Sequence, residues 1–529
     1  PGDWISAADT SNPAFATCTI SPSSWHGTRT AGIIGALSDN GVGIAGVNWN
    51  AYVLPVRVLG KCGGFDSDII DAMRWAAGLA VAGAPVNPYP ARVINMSLGG
   101  TGSCIGFVPY EDVFNELTAL GVVVVASAGN EGGPAAVPAN CPGAVAVAGL
   151  RHIGTKVGFS NLGRDITISA PGGNCVNTGG GPCLFSIDTL TDQGTNGPVG
   201  PAYTDQFNFN VGTSFSAPLV SGVASLMLGV NQNLQPFHLI ARLRSGVTTP
   251  ATPFPRNPDP AILDCHVPAG DIQDSECNCT TDTCGAGMLN AQGAMTEALR
   301  PIASVVLPAT VNGAGTNVSL GGSRSVAACG RTIATYRWDV TTGTAVVSNP
   351  NVANTTVPAP PMASTIVVRL TVTDDMGATD TADITITSNS AASSVPTITP
   401  VNACPTPITV AQVGAPTETL SASPASIMSG QAATLTWSST NATSCTASGS
   451  WTGTKATSGS ESTGALAATS TFTLVCNGPG GASAPGSATV TVTPATGGGG
   501  GGGGGGALEL LSLLALSLLL ALTRRPVSA

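Results

Sequence analysis

The stretch VVVVASAGNEGG, residues 122–133, opens on four consecutive valines and ends in a glycine-rich turn. A run with no polar face reads as a strand covered on both sides, the kind that parallel sheets use. Comparable runs stand on either side of it: VLPVRVL at 53–59, VINMSL at 93–98 and VAVAGL at 145–150. Between them, SDIIDAMRWAAGLAVA (67–82) and YEDVFNELTAL (110–120) read as helices. Apolar strands alternating with helices predict an α/β domain with a parallel sheet and helices on both faces. Ligands of such sheets lie beyond the carboxyl ends of the strands. The residues that directly follow the strands are therefore where chemistry is to be sought.

Asn130 follows the valine strand, where an amide can donate to an oxyanion; alone, Gly-Asn after a strand is usually a turn. VINMSLGG (93–100) reaches the same edge and ends in Gly99 and Gly100, which let another backbone approach closely. In VGTSFSAPLVSGVASLMLG (211–229), Ser214 stands between a Gly-Thr turn and an apolar run that reads as a helix. The positive end of that helix favours developing negative charge. Pro218 is tolerated in its first turn. For Ser214 alone, an N-cap serine before a core helix is the plainer reading. His26 lies in SSWHGTRTAGIIGA (23–36), at the start of a small-apolar run. A histidine base needs a nucleophile to deprotonate and a carboxylate to hold its ring.

Taken together, HGTRTAG, NMSLGG, ASAGN and GTSFSAP resemble the motifs of the subtilases, the subtilisin-like serine proteases, over about residues 1–300. The resemblance implies a subtilisin-like fold and a set of roles. Ser214 attacks the scissile carbonyl, and His26 takes its proton and passes it to the leaving amine. Asn130 and the Ser214 N–H hold the oxyanion. Ser97, Leu98 and Gly99 pair with the substrate as an added strand, with Gly63 and Gly64 lining its other side. Two family histidines are replaced, by Arg29 and Leu219, and altered packing rather than lost chemistry is expected.

The family's catalytic aspartate ends an apolar strand well before the histidine. Here the candidates are Asp3 in PGDWIS and Asp9 in AADTSN, and neither follows an apolar strand. PGDW instead resembles the loop between the aspartate and histidine motifs. The carboxylate is expected upstream of Pro1, consistent with a chain that opens without a methionine or a leader, and residues 1–529 alone are expected to be inactive.

Charged residues make up only 9% of the chain, against about 25% in ordinary globular proteins. The net charge of −10 argues against a nucleic-acid partner. Fourteen cysteines point to disulfides in an exported protein. Cys265, His266, Cys277, Cys279 and Cys284 cluster in the segment 264–291, where disulfides are favoured over zinc because paired CxxC motifs are absent. Cys175 with Cys183, and Cys445 with Cys476, read as bridges. Cys62 and Cys104 are expected to brace the cleft. No cofactor is required for the chemistry and no metal ligand is assigned. The resemblance allows structural calcium, and Asp66 and Asp68 in GFDSD offer ligands, although a solvated helix start is the plainer reading.

Beyond the peptidase domain (1–300), residues 301–389 resemble a PKD β-sandwich, through YRWDV (336–340) and LTVTDDMGATDTA (370–382). A linker spans 390–415, and 416–494 resembles an Ig-like β module. Such modules bind substrate or act as spacers. A glycine-rich spacer (495–506) precedes a hydrophobic segment with Arg524 and Arg525 (507–525). The tail resembles a GlyGly-CTERM sorting signal removed by a rhombosortase-type protease. At about 1.5 Å per residue its apolar part reaches only about 24 Å, short of the roughly 30 Å hydrocarbon core. The sequence thus predicts a monomeric, exported, secreted or surface-displayed serine endopeptidase acting on proteins and peptides. The rival is a catalytically inactive surface binding protein on the same scaffold.

Overall fold

The structure is a computed structural model. It describes residues 3–494 apart from 41–42, 175–182, 206–209, 249–251, 309–310, 312, 389–415, 443 and 479–480. The glycine tract and apolar tail lie outside the described residues, as do the linker and Cys175.

Four parallel strands form the central sheet in the order β1 (Val93–Met96), β2 (Val123–Ser127), β3 (Ala144–Leu150), β4 (Ile168–Pro171). The valine run behaves as its composition demands, because β2 and β3 are buried along their whole length. Successive side chains point to opposite faces. Val122, Val124 and Ala126 pack beneath helices α2 (Asp66–Ala76) and α3 (Val108–Ala119). Val123 and Val125 pack against α4 (Thr213–Val230), α5 (Pro236–Ser245) and α6 (Ala291–Ala298). A further helix, α1 (His26–Gly35), lies against the start of α4. This is the expected α/β architecture, a parallel sheet with helices on both faces. Among the described residues only α4 is long and apolar enough to cross a membrane, and it is the buried core helix of this sheet.

The run 53–59 departs from expectation. It forms no strand, and Val53, Leu54 and Leu59 are exposed. A strand requires a hydrogen-bonded neighbour, and among the described residues this run has none. The consequence shows in β1, where three of four residues are only half-buried. β1 is the open edge of the sheet.

Residues 302–388 form two antiparallel layers around Trp338, which is 1% exposed. One layer holds Ile333–Thr342, Thr365–Asp374 and Thr379–Thr387; the other holds Asn317–Gly321 and Asn354–Pro358. The module is fastened to the α/β domain. Asp380 accepts from the Ala303 N–H at 2.9 Å and faces Arg242 and Arg300 at 3.7 and 3.6 Å. Residues 417–493 form a separate β unit whose core contains Trp437, Phe472 and Leu474.

Cysteine pairing matches part of what was expected. Cys445 and Cys476 sit in register on adjacent strands and are bridged. Cys265–Cys277 and Cys279–Cys284 take up the cysteines of the suspected zinc cluster, which leaves no thiolate there for a metal. Cys183 is disulfide-bonded. Cys62 and Cys104 do not brace the cleft together. Cys62 closes onto Cys18, and Cys104, the more deeply buried, closes onto Cys141. Replacing Cys445 and Cys476 together by serine is expected to destabilise the 417–493 unit by about 4 kcal/mol, because the bridge closes a loop with a sequence separation of 31. Faster hydrogen exchange along Ser470–Gly478 is the measurement that checks it.

Candidate active site

The carboxyl ends of β1 and β2 and the amino ends of α1 and α4 meet at one place. His26 is the first residue of α1, and its ring lies 5.7 Å from that of Phe215 in the first turn of α4. The preceding residue, Trp25, turns the chain with a φ of 51°, in the left-handed region that side chains avoid. Its indole donates to the Gly194 carbonyl at 2.6 Å, which ties that turn to the 190s loop.

Ser214 follows Gly212 and Thr213 at the start of α4 and is half-buried. Gly212 has a φ of 150°, which a side chain rarely adopts. Ser97, just beyond β1, donates its hydroxyl to the Ser214 carbonyl at 2.7 Å. The Ser214 hydroxyl lies 3.5 Å from the Ser97 carbonyl. Asn95 supports this contact, donating to the Ser97 hydroxyl at 3.0 Å while accepting from Ser221 of α4 at 2.9 Å. The first strand is thereby bolted to the helix that carries Ser214.

Asn130 is exposed, and one end of its amide is fixed. Its Oδ1 accepts from the Thr213 backbone N–H at 2.8 Å and lies 3.1 Å from the Thr213 hydroxyl. A backbone N–H can only donate, so the end of the amide held by α4 is the oxygen, and Nδ2 is left as the donor. Asn130 is thus an amide donor held one residue from Ser214, at the amino end of a helix whose dipole adds to the same positive field.

Burial pushes the His26 imidazolium below the usual histidine range. The Arg29 guanidinium pushes it the same way, and the Asp3 carboxylate opposes both. Arg29 is anchored by Asn210 at 2.8 Å. Asp3 is itself occupied: it accepts from the Ser23 hydroxyl at 2.7 Å and from the Ser24 backbone N–H and hydroxyl. Asp9 is farther from this duty still. It pairs with Lys61 at 2.6 Å and with Ser6, and both hold its carboxyl well below the ordinary carboxylate range. Among the described residues no hydrogen bond reaches the His26 ring.

In the segment Ser97–Gly99, Ser97 and Leu98 are half-buried and Gly99 is exposed. Gly100 is engaged on both sides by Val137. No hydrogen bond among the described residues engages the backbone of Leu98 or Gly99. Gly63 and Gly64 are not brought to Ser214 by any contact of the described residues. Their loop is tied instead to Asp9 through Lys61 and to Cys18 through Cys62. Asp66, a calcium candidate, accepts from the Tyr110 hydroxyl at 3.0 Å. Three polar residues of the site escape sequence reasoning: Thr213, Glu131 and Asn161. Thr213 is visible in GTS only as part of a turn. Nothing in the sequence marks Asn161, 30 residues beyond Glu131, as its partner.

Residues 6–262 match the subtilase family and residues 308–387 match a PKD domain. An extracellular protease of Xanthomonas campestris is 36% identical over 301 residues, which is 56% of this chain and 44% of that protein. An extracellular basic protease of Dichelobacter nodosus is 40% identical over 235 residues, 44% of this chain and 36% of that one. The chain therefore spans less than half the length of either. Among solved structures, proteases of Pseudoalteromonas arctica are similar at 35% identity and a TM-score of 0.46, over 56% of this chain and 76% of the other.

Proposed function

We propose that this chain, whose residues 6–262 match the subtilase family and whose residues 308–387 match a PKD domain, is a secreted or surface-displayed serine endopeptidase working through an acyl-enzyme. The observation that carries the reading is the pinned amide of Asn130, whose Oδ1 is held by Thr213, the residue next to Ser214 at the amino end of α4. In this reading His26 takes the Ser214 proton as the hydroxyl attacks the carbonyl, and returns it to the leaving amine. Asn130 and the Ser214 N–H hold the oxyanion. The substrate lies along Ser97, Leu98 and Gly99 as an added strand. Gly63 and Gly64 are proposed to line its far side. The chemistry needs no cofactor, and any calcium is structural. The substrates are proteins or peptides, and the enzyme acts as a monomer outside the cell.

The rival reading, an inactive binding protein, draws support from one observation, the absence of a hydrogen bond to the His26 ring among the described residues. Labelling the protein exported by its host with a fluorophosphonate decides between them. Adduct mass on the peptide carrying Ser214 supports the hydrolase, and an unlabelled folded protein supports the rival. The apolar tail is proposed to be cut off by a rhombosortase-type protease during export. Mass spectrometry of the exported product checks this, and a mature carboxyl terminus at Ala529 rejects it.

The charges around His26 give a prediction with a definite sign. The base must be neutral to act, so activity is lost as pH falls through its pKa. Arg29→Gln removes a cation that lowers this pKa, so the acid limb of kcat/KM is expected to move to higher pH. Asp3→Asn removes an opposing anion and is expected to move the limb to lower pH. A pH–rate profile of each variant is the measurement, and two shifts in the same direction reject the account.

A further inference from the structure

We propose that Glu131 and Asn161 are positioning residues that aim Asn130, clamping the backbone on which the oxyanion donor is mounted. The proposal rests on the serine-protease reading given above. Thr213 pins the outer end of the Asn130 side chain. That pin fixes the donor only if the Asn130 backbone is also fixed. Here the backbone is intrinsically loose, because three of the five residues Gly129–Gly133 are glycine, and Gly129 and Gly132 have φ values of 108° and 69°.

Two side chains supply the missing rigidity. The Glu131 carboxylate accepts from the Asn130 N–H at 2.9 Å and, on the same oxygen, from Asn161 Nδ2 at 2.8 Å. Asn161 Oδ1 accepts from the Glu131 and Gly133 N–H groups at 2.9 and 3.0 Å. The Asn161 N–H closes the ring by donating to the Gly129 carbonyl at 3.0 Å. Two backbone donors on Oδ1 fix the orientation of this amide, just as one fixes that of Asn130. Asn161 is 3% exposed and its bond to the Gly133 N–H is buried, whereas the Glu131 bond to the Asn130 N–H lies at the surface. The approach is too close for any residue but glycine at 129, where a Cβ would stand 2.2 Å from Asn161 Nδ2 and 2.7 Å from the Glu131 carboxylate.

The clamp is braced from behind. Gly132 donates to the Phe159 carbonyl at 2.9 Å and accepts from Gln273 at 2.8 Å. Buried Lys156 joins the two supporting segments, donating to the carbonyls of Gly158 and Gln273. The clamp therefore ties the oxyanion loop to the strand-linked body of the domain. A donor displaced by a fraction of an ångström loses transition-state stabilisation while substrate binding is left alone.

The test is steady-state kinetics of the exported enzyme, normalised by fluorophosphonate titration so that only competent Ser214 is counted. Asn161→Ala is expected to lower kcat by about 10- to 100-fold, a range set by the cost of small misplacements, with KM within about twofold. Introduced into Asn130→Ala, it is expected to change kcat less than about twofold, because the group it aims is gone. Glu131→Ala is expected to resemble Asn161→Ala, and Glu131→Gln, which keeps an acceptor oxygen, is expected to recover most of the rate. An Asn161→Ala loss equally large in both backgrounds would overturn the proposal and make the clamp merely structural. A rise in KM alone would overturn it too, assigning Glu131 and Asn161 to substrate contact. If Asn161→Ala yields no titratable enzyme, the Glu131→Ala and Glu131→Gln pair decides the matter by the same criteria. Failure of the underlying reading is separately visible, as hydrolysis that survives Ser214→Ala.

Discussion

Ser214→Ala is expected to abolish both peptide-bond cleavage and fluorophosphonate labelling, and Asn130→Ala is expected to leave labelling intact while lowering kcat by about 10²–10³. That range is the cost known for the corresponding donor of subtilisin and is carried over from there. The two variants differ because they remove different things. In the proposed mechanism Ser214 supplies the electron pair that forms the acyl bond, and the Ser97 hydroxyl is committed to the Ser214 carbonyl. Asn130 would supply one of two donors, and the Ser214 N–H with the α4 dipole would remain. Casein hydrolysis and single-turnover acylation measure the two effects. Cleavage at the original rate by Ser214→Ala would remove the nucleophile assignment. An Asn130→Ala loss confined to KM would mean that its amide binds substrate, not the transition state.

The site is legible in the sequence to the extent that it is local. GTSFSAP, HGTRTAG and ASAGN each combine a chemical group with the turn that presents it, so a short window holds both. β2 and β3 are legible because continuous valine and alanine leave no face for water. What escapes is anything requiring two distant segments. Asn161 is an unremarkable residue until Oδ1 is seen to hold two N–H groups of the loop that carries Asn130. The pairing of Cys62 with Cys18 rather than Cys104 depends on how loops fold back, which spacing does not encode. The 53–59 run misleads for a physical reason. Its composition suits a strand, but a strand is defined by its neighbour, and none of the described residues pairs with it.

That open position leads to the second large effect. Expressed as residues 1–529 alone, the protein is expected to turn over substrate about 10⁴ times more slowly than a chain in which a carboxylate stands behind His26, the loss that a misoriented histidine causes in a serine protease of another fold. Three observations converge. The His26 ring has no hydrogen bond among the described residues. Asp3 is spent on Ser23 and Ser24, and Asp9 on Lys61 and Ser6. The edge of β1 is half-buried where its neighbours are fully buried, and apolar side chains of 53–59 are exposed. A strand added parallel to β1 would cover that edge, and its carboxyl end would emerge level with Ser97, which touches Ser214. The experiment compares residues 1–529 with the same chain carrying an added amino-terminal apolar strand that ends in aspartate, each with and without Asp9→Ala and Asp3→Asn. Activity is expected only in the extended chain, unchanged by Asp9→Ala and altered by Asp3→Asn in its pH profile alone. Full activity from residues 1–529, lost in Asp9→Ala, would show that the Lys61-bound carboxylate leaves its partner and completes the triad from within the chain.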